Sequence, residues 1–302
     1  MNRPCRHSRH AVALALALSA ICGSPLHASD LLRAQQVEAT ESLIRVGAYR
    51  LNFRVIAGGH PTVLLEAGGG ADSRQWNALA PQLAEVTGAT VVSYDRAGFG
   101  SSDLPDTPLD MREEVEWLWS GLEQLDLGRE LILVGHSYGG WMIRLFASEH
   151  PEAVRGMVFV DAFTNEFVDL MGAEYLDGRP GMGKLPFDTS ATNHLTPLQR
   201  ALIRMTRGGL VLKMETMRGT SIPPGIPVVV IASGRRFLTS EEEHEAWRLA
   251  QERLAASIEH ATLVVAEESG HMIPAQQPDL IVDAVAAVVQ RSRNVNDTRG
   301  LP

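Results

Sequence analysis

Cysteine is nearly missing from this chain: of 302 residues only Cys5 and Cys22 carry a thiol. Both lie in an N-terminal stretch that has to be set aside before any fold is read. Arg3, Arg6 and Arg9 give a basic start with no acidic residue, and an apolar run, residues 11–22 (AVALALALSAIC), follows. That run is short of the roughly 20 apolar residues that a membrane-spanning helix needs. Basic start, short apolar core and a small residue soon after read together as a secretory signal peptide, residues 1–28, cut after Ala28. Cuts after Cys22 or Ser24, or a lipid anchor on Cys22, are lesser options. A buried N-terminal helix fits poorly, since every charge sits at one end. Residues 29–302 then contain no cysteine, which excludes a disulfide, a thiolate metal site and a thiol nucleophile. About 270 residues bury a core that needs no such staple. The expectation is an exported protein, periplasmic or secreted.

Positive charge is also scarce. Losing Arg3, Arg6 and Arg9, and no carboxylate, takes the formal net charge from −9 down by three to −12. No basic stripe is present to displace phosphate counterions, which argues against a nucleic-acid partner. The same acidity argues against anionic membranes, and no stable membrane insertion is expected once the signal is gone. Internal repeats and low-complexity tracts are missing beyond the signal. His194, His244 and His260 do not pair at metal-ligand spacing, so neither metal nor cofactor is expected. The expected partner is a small-molecule substrate; the oligomeric state is left open.

What is present is a rhythm of short β-branched runs and longer amphipathic stretches, the pattern of a mostly parallel sheet covered by helices. Strands are expected at residues 43–56 (a hairpin), 62–66, 90–94, 131–134, 157–160, 228–232 and 262–265, about eight in all. Helices are expected near 76–86, 111–125, 138–148, 241–257 and 278–290, with a frayed polar tail after Ser292. The interval 163–224 breaks the rhythm. It shows no convincing strand, and Gly/Pro clusters bracket one helical pattern, 197–217. An insertion this long between core strands reads as a helical cap rather than a structureless loop.

The chemistry starts at Gly135-His136-Ser137-Tyr138-Gly139, a G-x-S-x-G pentapeptide. It follows the apolar run ELILV and opens the helical run YGGWMIRLFASEH, the context in which such a serine is exposed on a tight strand-to-helix turn. Ser137 is therefore the candidate nucleophile, with the Tyr138 N–H aimed at a nascent oxyanion. The bland alternative, an incidental serine in a glycine-rich turn, does not account for strand and helix on either side. A second feature fits independently: TVLLE runs into Ala67-Gly68-Gly69-Gly70, where glycines let backbone N–H groups approach a carbonyl oxygen. Gly69 is the preferred second donor, then Gly70. A phosphate loop does not fit, because neither Gly-Lys-Ser/Thr nor dinucleotide spacing follows. Third, His271 lies in Ser269-Gly270-His271-Met272, after the last strand and before the last helix, where it can accept the serine proton.

These runs, with VVSYDRAGFGSSD and EESGHMIPAQQPDLIVDAV, resemble the α/β-hydrolase superfamily, and within it the serine esterase and aminopeptidase-like branch carrying YDRxGxGxS after the fourth strand. The resemblance covers residues 29–302 except the cap. It implies the α/β-hydrolase fold, Ser137 as nucleophile, His271 as base, and Gly69 and Tyr138 as oxyanion hole. Where the family often has His-Gly, this chain has Ala67-Gly68. Its acid position is also altered: the family often places an aspartate after strand 228–232, where this chain reads SGRRFLTSEEEHE. Asp161, at the end of MVFVD, is the first choice, and Glu241, Glu242 and Glu243 are the alternatives. The glutamates also read as a helix start capped by Thr239 or Ser240. Asp95-Arg96 reads as a structural pair at the turn before Gly98 and Gly100, and Trp117, Trp119 and Trp141 as core. The resemblance implies acyl transfer, with ester hydrolysis first and peptidase or amidase, lactonase or C–C bond hydrolase activity behind it. A non-catalytic binding protein is less favoured, since Ser137 and His271 are both kept. Epoxide hydrolases and haloalkane dehalogenases share the fold but attack with an aspartate.

Overall fold

A computed structural model describes residues 39–106, 110–172 and 209–299. Eight strands form one sheet in the order β1-β2-β4-β3-β5-β6-β7-β8. They are β1 (Thr40–Val46), β2 (Tyr49–Ile56), β3 (Gly59–Glu66), β4 (Ala89–Asp95), β5 (Leu131–His136), β6 (Val154–Val160), β7 (Val228–Ser233) and β8 (Thr262–Ala266). The first two form the expected hairpin, turning at Gly47, whose φ of 60° suits glycine. β2 pairs antiparallel to β4, and every pair from β4–β3 to β7–β8 is parallel.

The helices are α1 (Leu79–Thr87), α2 (Met111–Gln124), α3 (Gly139–Glu149), α4 (Asn165–Met171), α5 (Gly209–Met217), α6 (Glu241–Ser257), α7 (Ile273–Gln276) and α8 (Pro278–Arg299). Alternation along the central strands assigns them to two faces. Val63, Leu65, Val134 and Val158 pack with Trp76, Leu83 and Val285, on the side of α1 and α8. Leu64, Leu133, Met157 and Phe159 pack with Leu118, Phe146 and Leu254, on the side of α2, α3 and α6. Strands covered on both faces lose the polar alternation of a half-exposed sheet, which is why ELILV and MVFV read as continuous apolar runs.

Three details differ from the sequence reading. Trp76 closes a short 3₁₀ turn, Ser73–Trp76, capped by Asp72, and does not start α1. α8 continues to Arg299, through the residues read as a frayed tail. α4 opens the interval 163–224 with Thr164 as cap, although no helix was expected there. Residues 1–28, the Gly/Pro run near 178–186 and the start of the 197–217 pattern lie outside the described residues. Among the described residues no helix is long and apolar enough to cross a membrane, and no cluster of His, Cys, Asp or Glu is arranged to hold a metal ion.

Candidate active site

Parallel strands that end together expose a crevice at their C-terminal ends, and every candidate residue lies there. The turn from β5 to α3 is built by close approaches. A Cβ on Gly135 would lie 2.5 Å from the Gly139 oxygen, one on Gly139 2.6 Å from the Glu66 oxygen, and one on Gly140 2.4 Å from the Ala162 Cβ. Only glycine fits. Ser137 between them has φ 53°, a left-handed conformation costing about 1–3 kcal/mol for a non-glycine residue. Its N–H donates to the Val160 oxygen (3.1 Å), and its own carbonyl accepts from Gly140 (2.9 Å) and Phe163 (2.8 Å). The serine is thereby locked between β5 and the residues that leave β6.

His271 Nε2 lies 2.9 Å from Ser137 Oγ, and its Nδ1 lies 2.7 Å from Asp161 Oδ2. An ionised carboxylate only accepts, so the ring proton sits on Nδ1 and leaves Nε2 to receive the serine hydroxyl's proton. Asp161 is wholly buried. Its Oδ1 accepts from the Ser233 N–H and the Trp247 Nε1–H, both at 2.9 Å. Three donors satisfy a charge that burial would otherwise penalise. Ser233 ends β7, where an aspartate was looked for, and supplies a backbone donor to Asp161, the carboxylate that β6 brings instead.

The glutamates do other work. Glu243 forms a capping box with Ser240, and Glu241 pairs with Arg236 at 2.9 Å. Glu242 is exposed. The helix-start reading of TSEEE is the one the structure supports.

His136, passed over as the variable residue of the pentapeptide, holds the His271 loop. Its Nε2–H donates to the His271 carbonyl oxygen at 2.8 Å, and burial first, then the neighbouring His271, pushes its pKa down to about 4. The loop is also tied to α7, since Gln276 Oε1 accepts from Ser269 Oγ (2.8 Å) and Gly270 N (2.9 Å). Phe237 stacks on the His271 ring at 4.6 Å. No sequence signal marked Phe237 or Trp247, because an aromatic in an amphipathic pattern reads the same whether it packs a core or a site.

Of the glycine run, Gly68 is committed: its N–H donates to Gln75 Oε1 at 3.2 Å. The N–H groups of Gly69 and Tyr138 have no acceptor from the chain among the described residues. Arg96 holds this loop from below, donating to the carbonyls of Ala67 (2.7 Å) and Gly68 (2.6 Å) and to the Glu66 carboxylate. Asp95 faces elsewhere, accepting from Ser73, Ser101 and Asn52. The two residues thus act through separate partners and not as a pair: Asp95 holds the turn through Ser101, and Arg96 holds the loop after β3. Gly100 is required there, as a Cβ would lie 2.1 Å from Asp95 Oδ2. Trp141 is core, as expected, while Trp117 and Trp119 are only partly buried against it.

The family model described as "Alpha/beta hydrolase family" matches residues 63–284. The chain belongs to the alpha/beta hydrolase family. Among curated relatives of this hydrolase, a probable transporter, efuK, of Hormonema carpetanum is 35% identical over 135 residues, covering 41% of the chain and 19% of that protein. The uncharacterized protein YqjL of Bacillus subtilis is 23% identical over 223 residues, covering 73% of the chain and 80% of that protein. The matches therefore range from about a fifth to four fifths of the relatives' own lengths. Among solved structures, the haloalkane dehalogenase DatA from Agrobacterium tumefaciens C58 aligns with TM-score 0.61 and 19% identity, covering 84% of this chain and 97% of that one. At that identity the likeness speaks for the fold alone.

Proposed function

We propose that this alpha/beta hydrolase is a serine hydrolase that cleaves an ester of a small or medium-sized carboxylic acid. The observation carrying the reading is the unbroken hydrogen-bonded series Ser137 Oγ–His271 Nε2 and His271 Nδ1–Asp161 Oδ2, at 2.9 and 2.7 Å, set on a strained turn. Ser137 Oγ attacks the ester carbonyl while Nε2 takes its proton, and the Gly69 and Tyr138 N–H groups receive the oxyanion. Collapse expels the alcohol, which leaves with the proton from Nε2. Water then attacks the acyl-enzyme with His271 again as base, releasing the acid and restoring Ser137. Asp161 stays ionised throughout and fixes the ring's tautomer. Where the shared fold runs dehalogenation it attacks with an aspartate; here the elbow position is serine.

A fluorophosphonate probe, which needs an activated serine and no knowledge of the substrate, tests the reading. Wild type labels and hydrolyses chromogenic esters of graded chain length. Ser137→Ala does neither and keeps the wild-type circular dichroism spectrum. Residual hydrolysis within roughly tenfold of wild type would end the serine mechanism, since losing such a residue costs orders of magnitude.

A further inference from the structure

We propose that Trp247 is a positioning residue for Asp161: with Gln251 it makes α6 a clamp on the turn that delivers the acid. The inference rests on reading Ser137, His271 and Asp161 as a triad. Asp161 follows β6 with φ 41°, so the residue presenting the carboxylate is itself in the left-handed region. A strained, non-glycine turn persists only where its surroundings over-determine it.

Two side chains one helical turn apart do so. Trp247 Nε1 donates to Asp161 Oδ1 at 2.9 Å, and Gln251 Nε2 donates to the Ala162 carbonyl at 2.8 Å. Residues i and i+4 share a helix face, so one element grips two consecutive residues of the turn. Both grips are sealed from water, Gln251 fully and Trp247 nearly so. The Trp247 N–H is what fixes the carboxylate's rotation. With His271 on Oδ2 and only the Ser233 N–H on Oδ1, the group could pivot about Cβ–Cγ; a second donor from a different element removes that freedom. The indole also stands edge-on to the His271 ring at 5.5 Å and 85°, and to Phe237, which stacks on the ring's face. Trp247 therefore touches two members of the triad, one by hydrogen bond and one by packing, without reaching Ser137.

Removing only the N–H separates this role from packing. Trp247→Phe is the simple variant. Incorporation of benzothienylalanine at position 247, which puts sulfur in place of N–H in a ring of the same shape, guards against a misfolded Phe variant. The expected result for either is a kcat lower by about tenfold with KM within twofold, since a loosened base costs turnover and not ground-state binding. In an Asp161→Asn background the histidine tautomer is already wrong, so the same change costs less than about twofold in fluorophosphonate labelling rate. Wild-type kcat in the benzothienylalanine protein, or a full additional loss in the Asp161→Asn background, overturns the assignment. Wild type that fails to label with the probe ends the serine-hydrolase reading and this inference with it; wild type that labels, beside variants that are unaffected, ends this inference alone.

Discussion

At Asp161 an asparagine has one comfortable orientation. Its amide oxygen takes the two donors from Ser233 and Trp247, so its NH₂ faces His271 Nδ1 and forces the ring proton onto Nε2, the nitrogen that must accept. Asp161→Asn is therefore expected to lower kcat by about 10³–10⁴-fold, while glutamine at Glu241, Glu242 or Glu243 changes it less than about twofold, as single-turnover rates on one ester will show. A second residue-scale effect concerns pH. Burial pushes Glu114 up to about 7, against the pull of Arg96 and Lys213. The folded protein then holds a proton that the unfolded chain has released, and stability falls as pH rises from about 4.5 to 7, by on the order of 3 kcal/mol. His136 acts with the opposite sign. Its pKa drops from 6.5 to about 4, so the unfolded chain binds the extra proton and stability rises with pH across that window. Glu114→Gln removes the first effect and leaves the second. Urea denaturation between about pH 4.5 and 6.5 should show stability climbing more steeply with pH than in wild type; an unchanged slope would mean that Glu114 does not titrate there.

At the scale of elements, the site depends on how closely α3 approaches the ends of β3 and β6. Gly140 sets the second approach, with room for no Cβ against Ala162. In Gly140→Ala, α3 or the turn after Asp161 must shift, at about 1–3 kcal/mol for overpacking, and Ser137 and Asp161 move relative to each other. Thermal melts should show that loss together with a fall in kcat of at least about tenfold. Ser240→Ala supplies the contrast. It deletes the cap of α6 at the end of the helix remote from Gln251, costs about 1 kcal/mol, and leaves kcat unchanged. A Gly140→Ala protein with wild-type turnover would show that the turn tolerates more separation than its contacts suggest. Arg96 links two other elements, crossing from the end of β4 to the loop after β3. This accounts for an arginine inside the YDRxGxGxS run, where the sequence offered only a structural pair with Asp95.

At the scale of the whole molecule, the eight strands and eight helices of the described residues bring residues 69, 137, 161 and 271 to the C-terminal ends of one sheet's strands. Export is a proposal resting on residues 1–28: expressed in a bacterium with its full leader, the protein is expected in the periplasm or medium with an N-terminus near Ser29. Edman sequencing or intact mass reads this directly, and an uncleaved Met1 start in the cytoplasm refutes it. The interval 163–224 is proposed as the cap that shapes the acyl and leaving-group pockets. Its root is held by Phe163, Phe167 and Trp247, whose rings pack against one another.

Local chemistry made part of this protein legible in advance. Glycines at 135 and 139, an apolar strand before them and a helical pattern after them dictate a strained turn whatever lies elsewhere, so Ser137 could be named from ten or so adjacent residues. The same holds for the central strands, whose two-sided burial leaves continuous apolar runs, and for the start of α6, whose capping box is written in Ser240 and Glu243. His271 was legible from its place after the last strand. Which carboxylate meets His271 was not, because an aspartate ending a strand and three glutamates opening a helix are equally good local structure. Only the sheet order, which puts β6 beside β5 and β7 beside β6, carries Asp161 to His271 and leaves Glu241 on Arg236, Glu243 in the capping box and Glu242 in solvent. His136, Trp247, Gln251 and Arg96 were hidden for the same reason. Each acts through a contact with a residue at least 28 positions away, and such pairings are set by how the helices pack on the sheet.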